Sequence, residues 1–272
     1  MMNIELDTRE MRRDILRMGL AAKSAGAHFG GSLSLVEVIA ALYGKVMNFD
    51  PGDLWNEKRD RLIFSKGHGV MPLYAAYRQL GLIKAEELLK YKASGSDITA
   101  HPTLCHRLGT EFASGSLGQG LSLGVGTCLA LRRKRNETSR VYVVLGDGEC
   151  NEGSIWEAAI SAAHYGLSNL VVVVDQNGLQ YDGDTRQVMS MMDMEEKWKA
   201  FGWTVIVCNG HDVKALTNAM SSHTETPLCV IAKTVKGKGI SFMEGIPEWH
   251  HGVLSQELYE KAMAEQEGGK NA

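Results

Sequence analysis

The residues best suited to chemistry lie in short glycine-rich stretches. In "VVLGDGECNEGSIWEAA", Val143 to Ala159, a Gly-Asp-Gly turn separates an apolar β-like run from a helical one. Glycines let the backbone approach whatever sits above the turn, and Asp147 offers a hard anionic oxygen. Further on, "VDQNGLQYDG" carries Asn177, Gly178 and Leu179. A carboxylate, an amide carbonyl and a backbone carbonyl suit Mg2+ or Ca2+ rather than Zn2+, and magnesium usually completes its octahedron with ligand phosphates and water. The two stretches therefore predict a clamp on a diphosphate better than an all-protein metal cage.

Histidines add to this. His28 lies in "GAHFGGS", His68 in "SKGHG", His101 in "TAHPT" and His251 in "WHHG", where His250 precedes it. Each sits in loop-like sequence beside glycine, alanine, threonine or proline, not on an apolar helical stripe. A single such imidazole is ordinarily a satisfied structural or surface group. Several in glycine-rich settings point instead to a ligand site, because imidazole can donate to phosphate or sugar oxygens. Competing glycine motifs fail: GDGECN lacks the third glycine of a dinucleotide fingerprint, and no GxxxxGK[ST] occurs.

Positioning these residues needs strands that end at the turns. Val141 to Leu145, Leu170 to Asp175, Thr204 to Cys208 and Leu228 to Ala232 are apolar, mostly β-branched runs of the kind found in buried parallel strands. Helical patterns at Ile155 to His164, Met194 to Phe201 and Val213 to His223 supply crossovers. The fold class expected is α/β, a doubly wound, mostly parallel sheet flanked by helices. The first half reads as helices at Thr8 to Lys23, Leu35 to Val46, Pro72 to Leu80 and Ala85 to Tyr91, with a short strand at Leu62 to Ser65. No linker or repeat divides residues 1–272, so a single domain is expected, with 265–272 a frayed tail. Ligands of open α/β sheets sit beyond the carboxyl ends of the strands, so the loops after Leu145 and Val174 meet if their strands are neighbours.

Composition excludes other classes. The 272 residues carry 29 Lys plus Arg against 32 Asp plus Glu, a formal charge of −3 that suggests no nucleic-acid or membrane partner. The RRKR run, Arg132 to Arg135, follows an apolar helical stretch and reads as a solvated helix end. Five cysteines without CxxC spacing predict reduced thiols and a cytoplasmic setting. The charged N-terminus shows no secretory h-region. The longest span candidate, Leu117 to Leu131, falls short of the roughly 18 uncharged apolar residues a membrane helix needs.

The ordered set "GAHFGGSLS", "RDRLIFSKGHG", "HPT", "GSLGQGLSLGVG", "GDGECNEGSIWEAA", "VDQNGLQYDG", "KTVKGKG" and "WHHG" resembles the amino-terminal, diphosphate-binding domain of transketolases, nearly end to end. The resemblance implies thiamine diphosphate as cofactor and a divalent metal, Mg2+ or else Ca2+ or Mn2+, on Asp147, Asn177 and the Leu179 carbonyl. It implies His68, Gly146, Gly148 and Glu149 at the cofactor, with Gly115, Ser116 and Leu117 lining it near the aminopyrimidine. His28, His101 and His251 would surround the reacting ketose, His251 also meeting the cofactor; in WHHG the better match is His251, directly before Gly252, though His250 could take its place. Glu152 matches an acidic residue that joins a carboxylate network across the family's subunit interface.

Ala27-His28-Phe29-Gly30 departs from the family's usual GHPG. Transketolases of full length also carry a pyrimidine-binding domain, with an activating glutamate, and a carboxy-terminal domain, neither of which this chain contains. The resemblance therefore implies the amino-terminal subunit of a split transketolase, acting on sugars or sugar phosphates with a carboxy-terminal subunit in an α2β2 assembly. Two alternatives stay open: a deoxyxylulose-phosphate-synthase-like enzyme, or a non-catalytic regulatory subunit.

Overall fold

A computed structural model describes residues 4–268. In chain order the helices and strands are α1 (Thr8–Ala21), α2 (Phe29–Leu33), α3 (Val36–Ala41), β1 (Arg61–Phe64), α4 (Met71–Gln79), α5 (Ala85–Leu88), α6 (Gly120–Arg133), β2 (Val141–Gly146), α7 (Gly153–His164), β3 (Leu170–Gln176), β4 (Leu179–Gln180), β5 (Gly183–Asp184), α8 (Thr185–Met189), α9 (Met194–Ala200), β6 (Thr204–Asn209), α10 (Val213–Met220), β7 (Leu228–Lys233) and α11 (Gln256–Gly268).

Among the described residues, five parallel strands form the central sheet in the order β1-β2-β3-β7-β6. Period-2 alternation divides each strand between two apolar layers. Tyr142, Val144, Val171, Val173 and Val230 face one cluster, which also holds Ile15, Phe29, Ile39 and Tyr77. Val143, Leu145, Val172, Val174 and Ile231 face the other, beneath Leu121, Ile155 and Trp198 from α6, α7 and α9. Both faces of the sheet are covered, as a parallel sheet requires. This is the expected α/β class, and the strands fall within a residue or so of the expected runs. The strand expected at Leu62 to Ser65 is β1, and it joins the same sheet beside β2.

Helix starts follow local chemistry: Asp7 accepts from the amides of Arg9 and Glu10, and Asp212 from those of Lys214 and Ala215. The helix expected over Leu35 to Val46 is α3 running into a π turn at Leu42–Val46. Phe29 to Val46 is apolar and long enough to pass as a membrane span, but 94% of it is buried inside the fold, which marks a core segment. Arg132 and Arg133 lie in the last turn of α6, where Arg132 donates to the Tyr165 and Gly166 carbonyls. The cysteines are free, with Cys128, Cys150 and Cys229 buried.

Several elements, the short helix α8 among them, were not expected. The glycine-rich "FGGSL" is the short helix α2, stabilised by complete burial and not by propensity. A small β4–β5 hairpin follows β3. The chain was expected to fray from Glu265; instead α11 runs to Gly268, and Gln266 is buried with its Nε2 donating to the Gly239 carbonyl at 2.6 Å. Residues 269–272 of that tail lie outside the described residues.

Candidate functional site

The β2–β3 register pairs Gly146 with Asp175, so the two glycine-rich loops leave the sheet side by side. Asp147 then joins them: its Oδ2 accepts from Gly178 N at 2.7 Å and its Oδ1 from Gly148 N at 2.8 Å. Asn177 turns its Oδ1 to Leu179 N at 3.0 Å. Above these loops opens a cavity of about 470 Å3, walled by Asp147, Asn177 and Leu179 on one side and by His28, His68, His101 and His250 on another.

Asp147 is 4% exposed, and its carboxyl is raised to about 6, first by burial and then by neighbouring Asp175, against the two amides and Lys66. Its ionised form is therefore costly here and is stabilised by added positive charge. Among the described residues, no group of three or more His, Cys, Asp or Glu side chains is arranged to hold a metal. A cation here would rest on Asp147, neutral oxygens and a ligand's own phosphates, the donor set that suits magnesium. The Leu179 carbonyl already accepts from Lys236 Nζ at 2.9 Å, and the same ammonium reaches His250 Nδ1 at 3.0 Å. Lys236 is 2% exposed, and burial and nearby Lys66 lower its amine to about 8 despite Asp147 and Asp175.

His28 is the hub of the imidazoles. Its ring centroid lies 5.4 Å from His68, 5.7 Å from His101, 5.6 Å from His250 and 4.6 Å from His251. Burial and the neighbouring imidazoles lower His28 to about 3. Burial with Lys236 and Lys66 lowers His250 to about 4. His68, His101 and His251 also shift downward, burial first. Neutral imidazoles can each accept one hydrogen bond and donate another. The buried Nδ1 of His28 and Oε1 of Gln180, both wall residues, have no protein partner, so the cavity offers unused polar atoms to a ligand.

Several expected contacts are corrected. His250, not His251, lines the cavity; His251 is exposed at the cluster's edge, because the Ala27–Gly252 bridge holds its backbone extended just after a 3-10 turn. Ser116 faces a neighbouring hollow with Ser114 and Gln119, while Gly115 and Leu117 line the cavity. Glu149 has both oxygens occupied, Oε1 by Ser65 Oγ at 2.5 Å and Gly118 N at 2.9 Å, Oε2 by Gly146 N at 3.0 Å. Glu149, Gly146 and Gly148 line the cavity as expected, and the Glu149 carboxylate ties three segments of its wall together. The amides of Gly146 and Gly148 are likewise spent on Glu149 and Asp147. What Gly148 contributes is clearance, since a Cβ there would stand 3.0 Å from Gln180. Glu152 is exposed at the cavity wall.

Sequence reasoning missed the site's foundation. Asp175, wholly buried at the end of β3, accepts from Ser34 Oγ at 2.7 Å, Asn177 Nδ2 at 3.1 Å, Lys66 Nζ and Thr234 Oγ1. Burial pushes its carboxyl up, but Lys66 and these donors hold it below the ordinary carboxylate range. A lone acid closing an otherwise apolar strand was the available signal. Lys236 stood in the "KTVKGKG" stretch without a role, and Gln180, Tyr181 and Asp182 of the β4–β5 hairpin also wall the cavity.

Residues 9–268 match the family model described as transketolase, thiamine diphosphate binding domain. Over 264 residues the chain is 40% identical to an apulose-4-phosphate transketolase subunit from Actinobacillus succinogenes, covering 96% of this chain and 95% of that one. It is 39% identical to the 6-deoxy-6-sulfo-D-fructose transketolase subunit SqwG of a Clostridium species, covering 88% of each. Human transketolase is 36% identical over 90% of this chain but only 39% of its own length. Among solved structures, transketolase from Pichia stipitis in complex with sedoheptulose-7-phosphate superposes with a TM-score of 0.86 at 28% identity, over 96% of this chain and 40% of that one. The chain thus spans about 40% of the length of that solved transketolase.

Proposed function

The chain belongs to the transketolase family, within its thiamine diphosphate-binding domain, and from that premise we propose that it is the amino-terminal subunit of a two-subunit transketolase that moves a ketol unit from a ketose to an aldose. The carrying observation is that one cavity joins the Asp147–Asn177–Leu179 loops to a cluster of neutral histidines. Its near-complete coverage of relatives that are themselves single subunits of a transketolase supports the split arrangement.

Thiamine diphosphate, when bound, supplies the carbon-centred nucleophile and electron sink for breaking and remaking a C–C bond. The chain's own residues bind and orient. Asp147, the Asn177 side-chain oxygen and the Leu179 carbonyl would hold a divalent cation, Mg2+ by preference, with Lys236 giving up its bond to Leu179. His68 and Lys236 would face the diphosphate. His28, His101 and His250 would hold the sugar's hydroxyl and carbonyl oxygens, each neutral imidazole accepting one hydrogen bond and donating another. His251 would steady His28 from the edge.

The partner would be a carboxy-terminal subunit that supplies a pyrimidine-binding domain, in an α2β2 assembly. An apolar rim supports this: Leu117, Tyr181 and Met189, which line the cavity, are 38%, 70% and 61% exposed. A sugar or sugar phosphate is the proposed substrate class.

The test is native mass spectrometry of the protein captured from its own cells with magnesium present, followed by a ketol-transfer assay. A companion chain, thiamine diphosphate in the complex, and transfer by the pair but by neither chain alone are expected. A cofactor-free homo-oligomer without transfer would overturn the reading in favour of a regulatory role.

A further inference from the structure

The segments that deliver His28, His101 and His251 come from distant parts of the chain, and one residue outside the cavity wall, through its backbone and its side chain, ties them together. Lys92 follows α5 with φ of +63°. A left-handed backbone at a non-glycine residue costs of order 1 kcal/mol or more and persists where its surroundings impose it. Here the Lys92 amide donates to the Ile98 carbonyl at 2.9 Å, closing the loop that leads into His101. Its Nζ crosses to the turn before His28 and donates to the carbonyls of Ala25 at 2.7 Å and Gly26 at 2.8 Å.

That turn in turn holds the third segment. Ala27 N donates to the Gly252 carbonyl at 2.8 Å, and Gly252 N returns to Ala27 O at 3.0 Å. Gly26, at φ +58°, has no room for a side chain: a Cβ would stand 2.7 Å from Gly252 O and 2.8 Å from His251 Cε1. Among the described residues no carboxylate pairs with Lys92, and burial alone lowers its amine. The titratable groups nearest His28 are His68, His101, His250, His251 and Lys92, with Lys66 and Lys236 behind His68 and His250; the acids of the same cavity are Asp147, Glu149, Glu152 and Asp182.

We propose that Lys92 is a positioning residue for ketol transfer: it sets the mutual geometry of His28, His101 and His251 and places an uncompensated positive charge beside them. The inference rests on the transketolase reading for its catalytic meaning, though not for its structural content. The ammonium pins two consecutive carbonyls of one loop while its own backbone closes another. Its charge favours the neutral form of all three imidazoles, which leaves each with one nitrogen able to accept a hydrogen bond.

The experiment compares Lys92→Met and Lys92→Arg in the full chain. Ring-nitrogen NMR should show the signals of His28, His101 and His251 moved in Lys92→Met and their titrations shifted to higher pH, with Lys92→Arg close to wild type and distant His164 unchanged in both. In the assembled enzyme Lys92→Met should lower kcat/KM by about 10- to 100-fold through misplaced histidines, with magnesium-dependent cofactor affinity unchanged and Lys92→Arg restoring most of the loss. Unmoved histidine signals, or a cofactor affinity that falls in step with activity, would overturn the proposal. An assembled wild type without ketol transfer would refute the functional reading alone, since the NMR comparison still judges Lys92.

Discussion

Lys66 Nζ lies 2.5 Å from Asp175 Oδ2, with the two side chains 2% and 0% exposed, and so joins the loop after β1 to the end of β3 across the strand between them. Burial this complete makes the pair costly to break and of little net worth to keep. Removing one partner strands a charge, which typically costs about 3–5 kcal/mol, whereas replacing both by apolar groups can be near neutral. Lys66→Met should therefore lower the denaturant midpoint sharply, and Lys66→Met with Asp175→Leu should recover much of it. A double variant as unstable as the sum of the singles would show that Asp175's other donors, Ser34, Thr234 and Asn177, carry the stability.

Cation binding should follow Asp147. In Asp147→Ala, magnesium-dependent retention of thiamine diphosphate should disappear in calorimetric titration, while the circular dichroism spectrum stays native. Retention at wild-type affinity would exclude Asp147 as a cation ligand.

The same carboxyl gives a pH signature. Asp147 is raised from 3.8 to about 6, so in the cation-free chain it destabilises as pH climbs through that window, because the folded state releases its proton less readily than the unfolded one. His28 and His250, lowered from 6.5 to about 3 and about 4, act oppositely: the unfolded chain takes up protons below pH 6.5 that the folded chain refuses, so stability falls on acidification. With two such imidazoles against one carboxyl, urea midpoints should fall between pH 6.5 and 4, less steeply in His28→Asn. Magnesium affinity should also weaken as pH drops through about 6, since binding needs the ionised carboxylate.

Much of this architecture could be read from the residues, and the limits have physical causes. Nearly all-apolar runs announced β2, β3 and β7 because strands covered on both faces leave few positions for a polar side chain, Asp175 at the end of β3 being the exception. Asp147 and Asn177 were recognisable because glycines flank them and hard oxygens have few uses in such a turn. The Lys66–Asp175 pair was not, since 109 residues separate its members and only the sheet register brings them together. Direction also escaped: that Ser116 looks away from the cavity and that His250 enters where His251 does not depends on backbone turns that residue type does not determine. In α2, burial against Trp249 and Gly19 overrides the loop-like composition of "FGGSL".

The phenylalanine standing where a transketolase usually has proline makes its own demand. Phe29 packs edge-on to Trp249 at 5.6 Å, and a Cβ on Gly19 would stand 2.2 Å from its ring. Gly19→Ala should cost about 1–3 kcal/mol by overpacking, read as a lowered thermal midpoint, and Phe29→Leu in the same chain should return part of it. No recovery would mean that the helix backbone of α1, not the ring, is what Gly19 accommodates.

Glu149 holds Ser65, Gly118 and Gly146 with one carboxylate, and these lie after β1, before α6 and at the end of β2. Loops ordinarily breathe independently, each with its own opening free energy. Knotted at one buried acid, these three form a single cooperative unit, so the amide protons of Gly118 and Gly146 should exchange with solvent at a common rate. The floor beneath the ligand is then either assembled or absent as a whole.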